Sequence, residues 1–168
     1  MSSKDAITLL KEGHRDVEKL FKEFESAKGD GRKQKLAHKI CLELIVHCEL
    51  EESIFYPACE GSVEEDELKE GYVEHYAAKL LIAEIEAAEQ GTNDEFFDTK
   101  VHVLQEEIEH HIKEEEGAGG IFAQARKGDL DMQALGERMA ERKKELTEQY
   151  EKDGLPQPKL KTMDEVSV

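Results

Sequence analysis

Apolar residues recur at three- and four-residue steps through four successive long segments, and in a chain of 168 residues that spacing leaves little choice but packed helices. The first stripe, over about residues 4–27, runs through Ile7, Leu10, Val17, Phe21 and Phe24 and stops at Gly29. The second, over about 31–59, carries Leu36, Ile40, Leu44, Ile54 and Ala58, with Pro57 near its end and Gly61 beyond it. The third, over about 64–90, turns Leu68, Tyr72, Ile82 and Ile85 inward and closes at Gly91. The fourth opens where Thr92 and Glu95 have the spacing of a capping box, and it continues through Phe97, Leu104 and Ile108 to about Glu116. Connections this short set neighbours antiparallel, so the expected fold is all-α, an up-down-up-down antiparallel four-helix bundle.

After the glycines of 117–120 a thinner stripe, Leu135, Met139, Leu146 and Tyr150, predicts an accessory C-terminal helix over about 129–152. It is expected to pack outside the bundle or on a partner. The tail from Gly154, with Pro156 and Pro158, reads as a loosely held end. The chain therefore divides into a bundle at 1–126 and an accessory helix with a tail at 127–168.

A charged fraction of 38% with 6% aromatics suits amphipathic helices with solvated outer faces. The formal net charge of −17 argues against nucleic acid or an anionic membrane as partner, since both would be repelled. No run approaches the roughly 18 apolar residues of a membrane span, and no basic flank precedes an apolar core at the N-terminus. Cys41, Cys48 and Cys59 fall on one predicted helix, where Cys41 and Cys48 would sit about 10 Å apart at roughly 1.5 Å rise per residue. That distance excludes a bridge, so reduced thiols and a cytoplasmic location are expected, with the cysteines as small buried side chains at a packing boundary.

The two halves of the bundle echo each other. His14 is followed by His47-Cys-Glu-Leu-Glu51-Glu52 and His75 by His111-Ile-Lys-Glu-Glu115-Glu116, and the echo continues into Ile54-Phe55 and Ile121-Phe122. Such pairing predicts two metal positions related by an approximate two-fold axis. Spacing alone is weak support, because 40 acids in 168 residues put one four residues after a histidine about one time in four. Helical phase discriminates, at about 100° per residue. It sets His47, Glu51, His75, His111 and Glu115 within the apolar stripes and His14 at the edge of its own, while His38, His102 and His110 turn outward. A buried carboxylate without compensation costs several kcal/mol, a large share of the roughly 5–15 kcal/mol that holds a domain together. Imidazole and carboxylate without an inward thiolate favour iron, manganese or zinc over copper(I) or an iron–sulfur cluster.

These residues resemble the hemerythrin family, in particular its HHE cation-binding branch. The ordered set His14, His47 to Glu51, His75, His111 to Glu115 meets that pattern, the run Glu52-Ser-Ile-Phe55-Tyr-Pro57 is similar too, and the match covers about residues 5–125. The resemblance implies two iron ions joined by an oxo or hydroxo bridge. Glu51 and Glu115 would bridge them, and His14, His47, His75 and His111 would be the terminal ligands. It further implies a small-molecule ligand, dioxygen, peroxide or nitric oxide, and a role as a sensor or scavenger of that ligand or as an iron handler; a monomer or weak homodimer is expected. Peroxide-decomposing or oxidase activity is one form of that role. An interaction module with a structural or zinc-occupied site is the alternative.

Oxygen-carrying hemerythrins place a second histidine one turn from the equivalent of His75, where this sequence has Gly71 and Lys79. Four histidines in place of five imply an extra open or solvent-filled position, and the resemblance therefore does not carry over reversible oxygen carriage. Of the neighbours, Tyr72 reads as core, Lys79 as a stem snorkelling to the surface, and Glu52 and Glu116 as candidates to hold the ligating histidines.

Overall fold

The computed structural model describes residues 3–88, 94–160 and Thr162. Helix α1 spans Ala6–Ser26 and is capped by Asp5, whose carboxylate accepts from the backbone N–H of Thr8 at 2.8 Å. Helix α2, Asp30–Leu50, continues without a break into a π-helical segment, Glu51–Phe55, and then into the short α3, Tyr56–Cys59. The expected second helix is thus one rod with a change of winding. Pro57 supplies the cause: it has no N–H to donate and its ring crowds the carbonyl four residues back. The Tyr56 N–H reaches five residues back, to the Glu51 carbonyl.

Helix α4 spans Glu65–Glu86 and α5 spans Phe97–Glu116, beginning later than the expected cap. Thr92 and Gly91, on which that cap and the close of the third helix were read, lie outside the described residues. A short helix that the periodicity did not reveal, α6 at Ile121–Lys127, follows the glycine turn, and α7 covers Met132–Asp153. The described residues contain no strand, only an isolated bridge between Glu60 and Val63. No described helix is long and apolar enough to cross a membrane.

The four long helices form the expected antiparallel bundle, with α1 against α2 and α4 against α5. Helix α7 takes the first of its two expected placements, outside the bundle against α1 and α2. Its stripe is thin but fully used, for Met139 and Leu146 are buried with Leu135 beside them. Gly136 permits the approach, since a Cβ there would overlap the backbone of Lys4 and Ala6.

Two apolar clusters fill the interior. Ile7, Leu10, Leu50, Phe55, Phe122 and Met139 form one end, and Val17, Phe21, Ile40, Leu44, Ile82 and Leu104 form the other. His14 lies along its helix between Leu10 of one cluster and Val17 of the other, and His75 between Leu68 and Ala78 in the same way. The polar side chains therefore form a layer sandwiched between two dry cores.

Candidate metal centre

Helical phase positions the layer. One turn separates His47 from Glu51 and His111 from Glu115, so each pair projects from one face of its helix, and α1 and α4 each add one histidine from across the bundle. His14, Glu51, His75, His111 and Glu115 are the buried polar or charged residues of the described chain, and His47 has a side chain 14% exposed. His38, His102 and His110 point outward, with side chains 54%, 63% and 59% exposed.

All six expected residues come together, in two groups that could each hold a metal ion: His14, His47, Glu51 and Glu115, and Glu51, His75 and His111. The Nε2 atoms of His14 and His47 are 3.1 Å apart, as are those of His75 and His111. The first pair comes from the first half of the chain and the second from the second, in keeping with the internal echo. Each carboxylate spans both pairs. Glu51 presents Oε1 to His47 at 3.1 Å and Oε2 to His75 at 3.0 Å. Glu115 presents Oε1 to His111 at 3.4 Å and Oε2 to His14 at 3.3 Å.

A ring of carboxylates orients the imidazoles from behind. Nδ1 of His14 lies 2.7 Å from Glu116, Nδ1 of His75 lies 3.1 Å from Glu52, and Nδ1 of His111 bonds Glu74. An ionised carboxylate only accepts, so these Nδ1 atoms carry the proton and a neutral ring turns its Nε2 lone pair to the centre. Glu116 is itself held by Arg15 at 2.6 Å, and Glu52 by Lys79 at 2.7 Å. Lys79 therefore does not simply snorkel. Its ammonium, together with the His75 bond, overrides burial and keeps the Glu52 carboxyl below its ordinary value.

Each half also roofs the other. The Phe122 ring stacks on His14 at 5.8 Å and the Tyr56 ring on His75 at 5.5 Å, both with planes 11° apart. Tyr56 breaks the symmetry by donating its hydroxyl to Glu115 Oε1 at 2.7 Å. A Cβ on Gly71 would lie 2.7 Å from that hydroxyl, so the space left at Gly71 is filled by a phenol and not by solvent. Tyr72 stays out of the centre, half-buried and edge-on to Tyr56 at 5.4 Å.

Residues 5–118 match the family model described as the hemerythrin HHE cation-binding domain. The chain belongs to that family. A crystal structure of a hemerythrin HHE cation-binding domain-containing protein, the Rv2633c homolog from Mycobacterium kansasii, superposes with a TM-score of 0.72 at 18% sequence identity. The superposition covers 90% of this chain and 95% of that one. No curated protein matches this chain.

The electrostatics of this hemerythrin-like centre show what the donors lack by themselves. Burial opposes charge on Glu51, Glu115, His14, His75 and His111, yet these groups ionise against one another. Against burial, the charge of His47 and the close imidazoles of His111, His47 and His75 hold Glu51 well below the usual carboxylate range. Glu115 is lowered by His111 and His14 against burial and the charge of Glu51. His14, His75 and His111 are all raised, because the close carboxylates of Glu115 and Glu51 and the bonds to Glu116, Glu52 and Glu74 outweigh desolvation. Even so, Glu51 Oε2 and Glu115 Oε2 accept no hydrogen bond though wholly buried. An orphaned buried acceptor costs about 1–3 kcal/mol, more when charged. Both orphans face imidazole nitrogens across the gap, and a pair of cations ligated by nitrogen and oxygen fits that need.

A cavity of about 20 Å³ adjoins the four imidazoles, lined on the α1 and α2 side by Leu9, Gly13, Val17, Leu44 and Cys48. That free volume only slightly exceeds what one water requires. Gly13 keeps it open, since a Cβ there would lie 2.8 Å from His47 Nδ1. Cys41, Cys48 and Cys59 are all buried and free, and burial raises each thiol above its usual range, Cys59 to about 12.

Sequence reasoning missed Tyr56, Phe122 and Glu74. Pro57 was the available signal for Tyr56, since a proline inside a helix changes its winding and re-aims the residue before it. Phe122 was visible in the Ile-Phe echo. Nothing singled out Glu74 from its many acidic neighbours.

Proposed function

We propose that this chain is a non-haem di-iron protein that binds or reacts with dioxygen or peroxide. His14 and His47 would hold one iron, His75 and His111 the other, and Glu51 and Glu115 would bridge them. The observation that carries this reading is the pair of buried carboxylates, each spanning both histidine pairs and each with one oxygen left without a donor. When bound, two irons would supply redox equivalents and an open position for a small ligand.

The chain's own residues contribute positioning, exclusion and a proton. Glu116, Glu52 and Glu74 fix ring orientation and tautomer through Nδ1. Phe55, Phe122 and Tyr56 pack against one another and the histidines and keep water from that end of the layer. Burial and the nearby carboxylates push the Tyr56 phenol well above its ordinary value, so it keeps its proton and directs it at Glu115 Oε1. The cavity beside His14 and His47 favours a diatomic or peroxide over any organic substrate.

Peroxide turnover tests the reading. Purified protein loaded with iron is expected to release oxygen from hydrogen peroxide over many turnovers at an oxygen electrode, and the zinc-loaded protein is not. Stoichiometric bleaching without turnover would leave ligand binding or sensing as the function. Equal behaviour of the iron and zinc forms would contradict a redox role and favour a structural metal.

A further inference from the structure

Between α4, α5 and the start of α6, a narrow pocket opens that the function above does not use. Glu67, Glu70, Glu74 and Glu114 ring it, Gly71 forms part of its wall, and its floor is His111 and Glu115. Glu70 and Glu114 are exposed, Glu67 and Glu74 partly so, and Glu115 is wholly buried with Oε2 unpartnered. Carboxylates thus run from solvent to the buried Glu115, whose Oε2 faces His14 across the layer at 3.3 Å, and Glu74 joins the two levels by bonding His111 Nδ1. The cavity on the other side of the layer differs in character. Its rim is mainly leucine and valine, and its carboxylate, Glu43, faces Lys143 at 3.6 Å.

We infer that the acidic pocket is the port through which divalent cations reach the centre, while the apolar cavity beside α1 and α2 admits the uncharged ligand. This rests on the proposed metal-binding role of the six residues. A cation losing part of its hydration shell needs oxygen partners at each stage, which the ring of glutamates offers and the leucine-lined side does not. Clustered charge of one sign in a cleft also raises the local concentration of a counter-ion and its rate of capture, by tenfold or more at low ionic strength.

The experiment is stopped-flow uptake of cobalt(II), followed by its visible absorption, into the full chain freed of metal by chelation. Glu67→Gln, Glu70→Gln and Glu114→Gln combined remove three charges from the port and keep side-chain shape, including the Glu67 acceptor for Gln124. Uptake is expected to slow about tenfold at low ionic strength, with the difference vanishing in about 0.5 M salt, where the Debye length falls to a few ångströms. Final cobalt content should be unchanged. Glu141→Gln, Glu148→Gln and Glu151→Gln on α7 make the same change in net charge on the far side of the bundle and should leave the rate within about twofold of the parent. An unaltered rate in the port variant, or equal slowing in both, overturns the port while leaving the metal centre standing. A parent chain that binds no cobalt overturns the port and the di-iron reading together.

Discussion

Removing the metal should lower the melting temperature by an amount that grows with pH. A ligand that binds only the native state stabilises it by about 2.7 kcal/mol per site at a hundredfold excess over its dissociation constant. Two positions supply about 5 kcal/mol, and at roughly 2–4 °C per kcal/mol for a chain of this size the loss is about 10–20 °C. The pH dependence follows from the shifted groups. His14, His75 and His111 titrate above the ordinary 6.5 in the metal-free fold, so their contribution is complete below about pH 6.5 and is lost as pH rises through the raised values. Glu51 and Glu115 titrate below 4.5, so theirs is present above about pH 4.5 and is lost as pH falls through the lowered values.

The stripped protein is therefore most stable between those limits and weakens toward alkaline pH. Metal displaces the imidazole protons, so the loaded protein gains over the same range. Thermal unfolding followed by circular dichroism, with loaded and chelated samples at about pH 6, 7 and 8, should show a gap that widens with pH. Superimposable curves at every pH would refute the claim that the polar layer needs cations. A gap that narrows with pH would refute the proton bookkeeping among the histidines.

Two further outcomes follow. Tyr56→Phe removes a buried hydrogen bond to a charged acceptor, worth about 1.5–3 kcal/mol, and should lower the melting temperature by roughly 3–12 °C; an unchanged value would mean the hydroxyl does not support Glu115. Gly136→Ala forces α7 off the start of α1 and should cost about 1–3 kcal/mol in urea denaturation, with faster proteolysis of α7; a neutral result would contradict its close packing.

The bundle was legible because a helix must bury one stripe, and the stripes of α1, α2, α4 and α5 keep a regular period. Five of the six polar residues were legible for the same reason, since phase placed them where leucine would ordinarily stand, while His14 read only as the edge of its stripe although its burial is nearly complete. Legibility failed where the period changed or burial was brief. The π-helical segment turns Tyr56 inward, off the face that a straight helix would give it. Helix α6 spans seven residues, too few to establish a period, yet it delivers Phe122 to His14. The partly buried carboxylates behind the histidines have no periodic signature, and among 40 acids only three-dimensional proximity to Nδ1 separates Glu74 from the rest. The four-histidine departure at Gly71 was visible, but what fills the space was not, because the occupant arrives from another helix.

Metal content per chain tests the central claim most directly. Protein purified from iron-replete cells is expected to carry about two irons by elemental analysis, from the two groups that share Glu51. Glu51→Ala or Glu115→Ala should lower that count to one or fewer, while His38→Ala and His102→Ala, at exposed positions, should leave it at two. A parent chain that stays empty after reconstitution with ferrous salt, or a count as sensitive to His38 as to Glu51, would contradict the account.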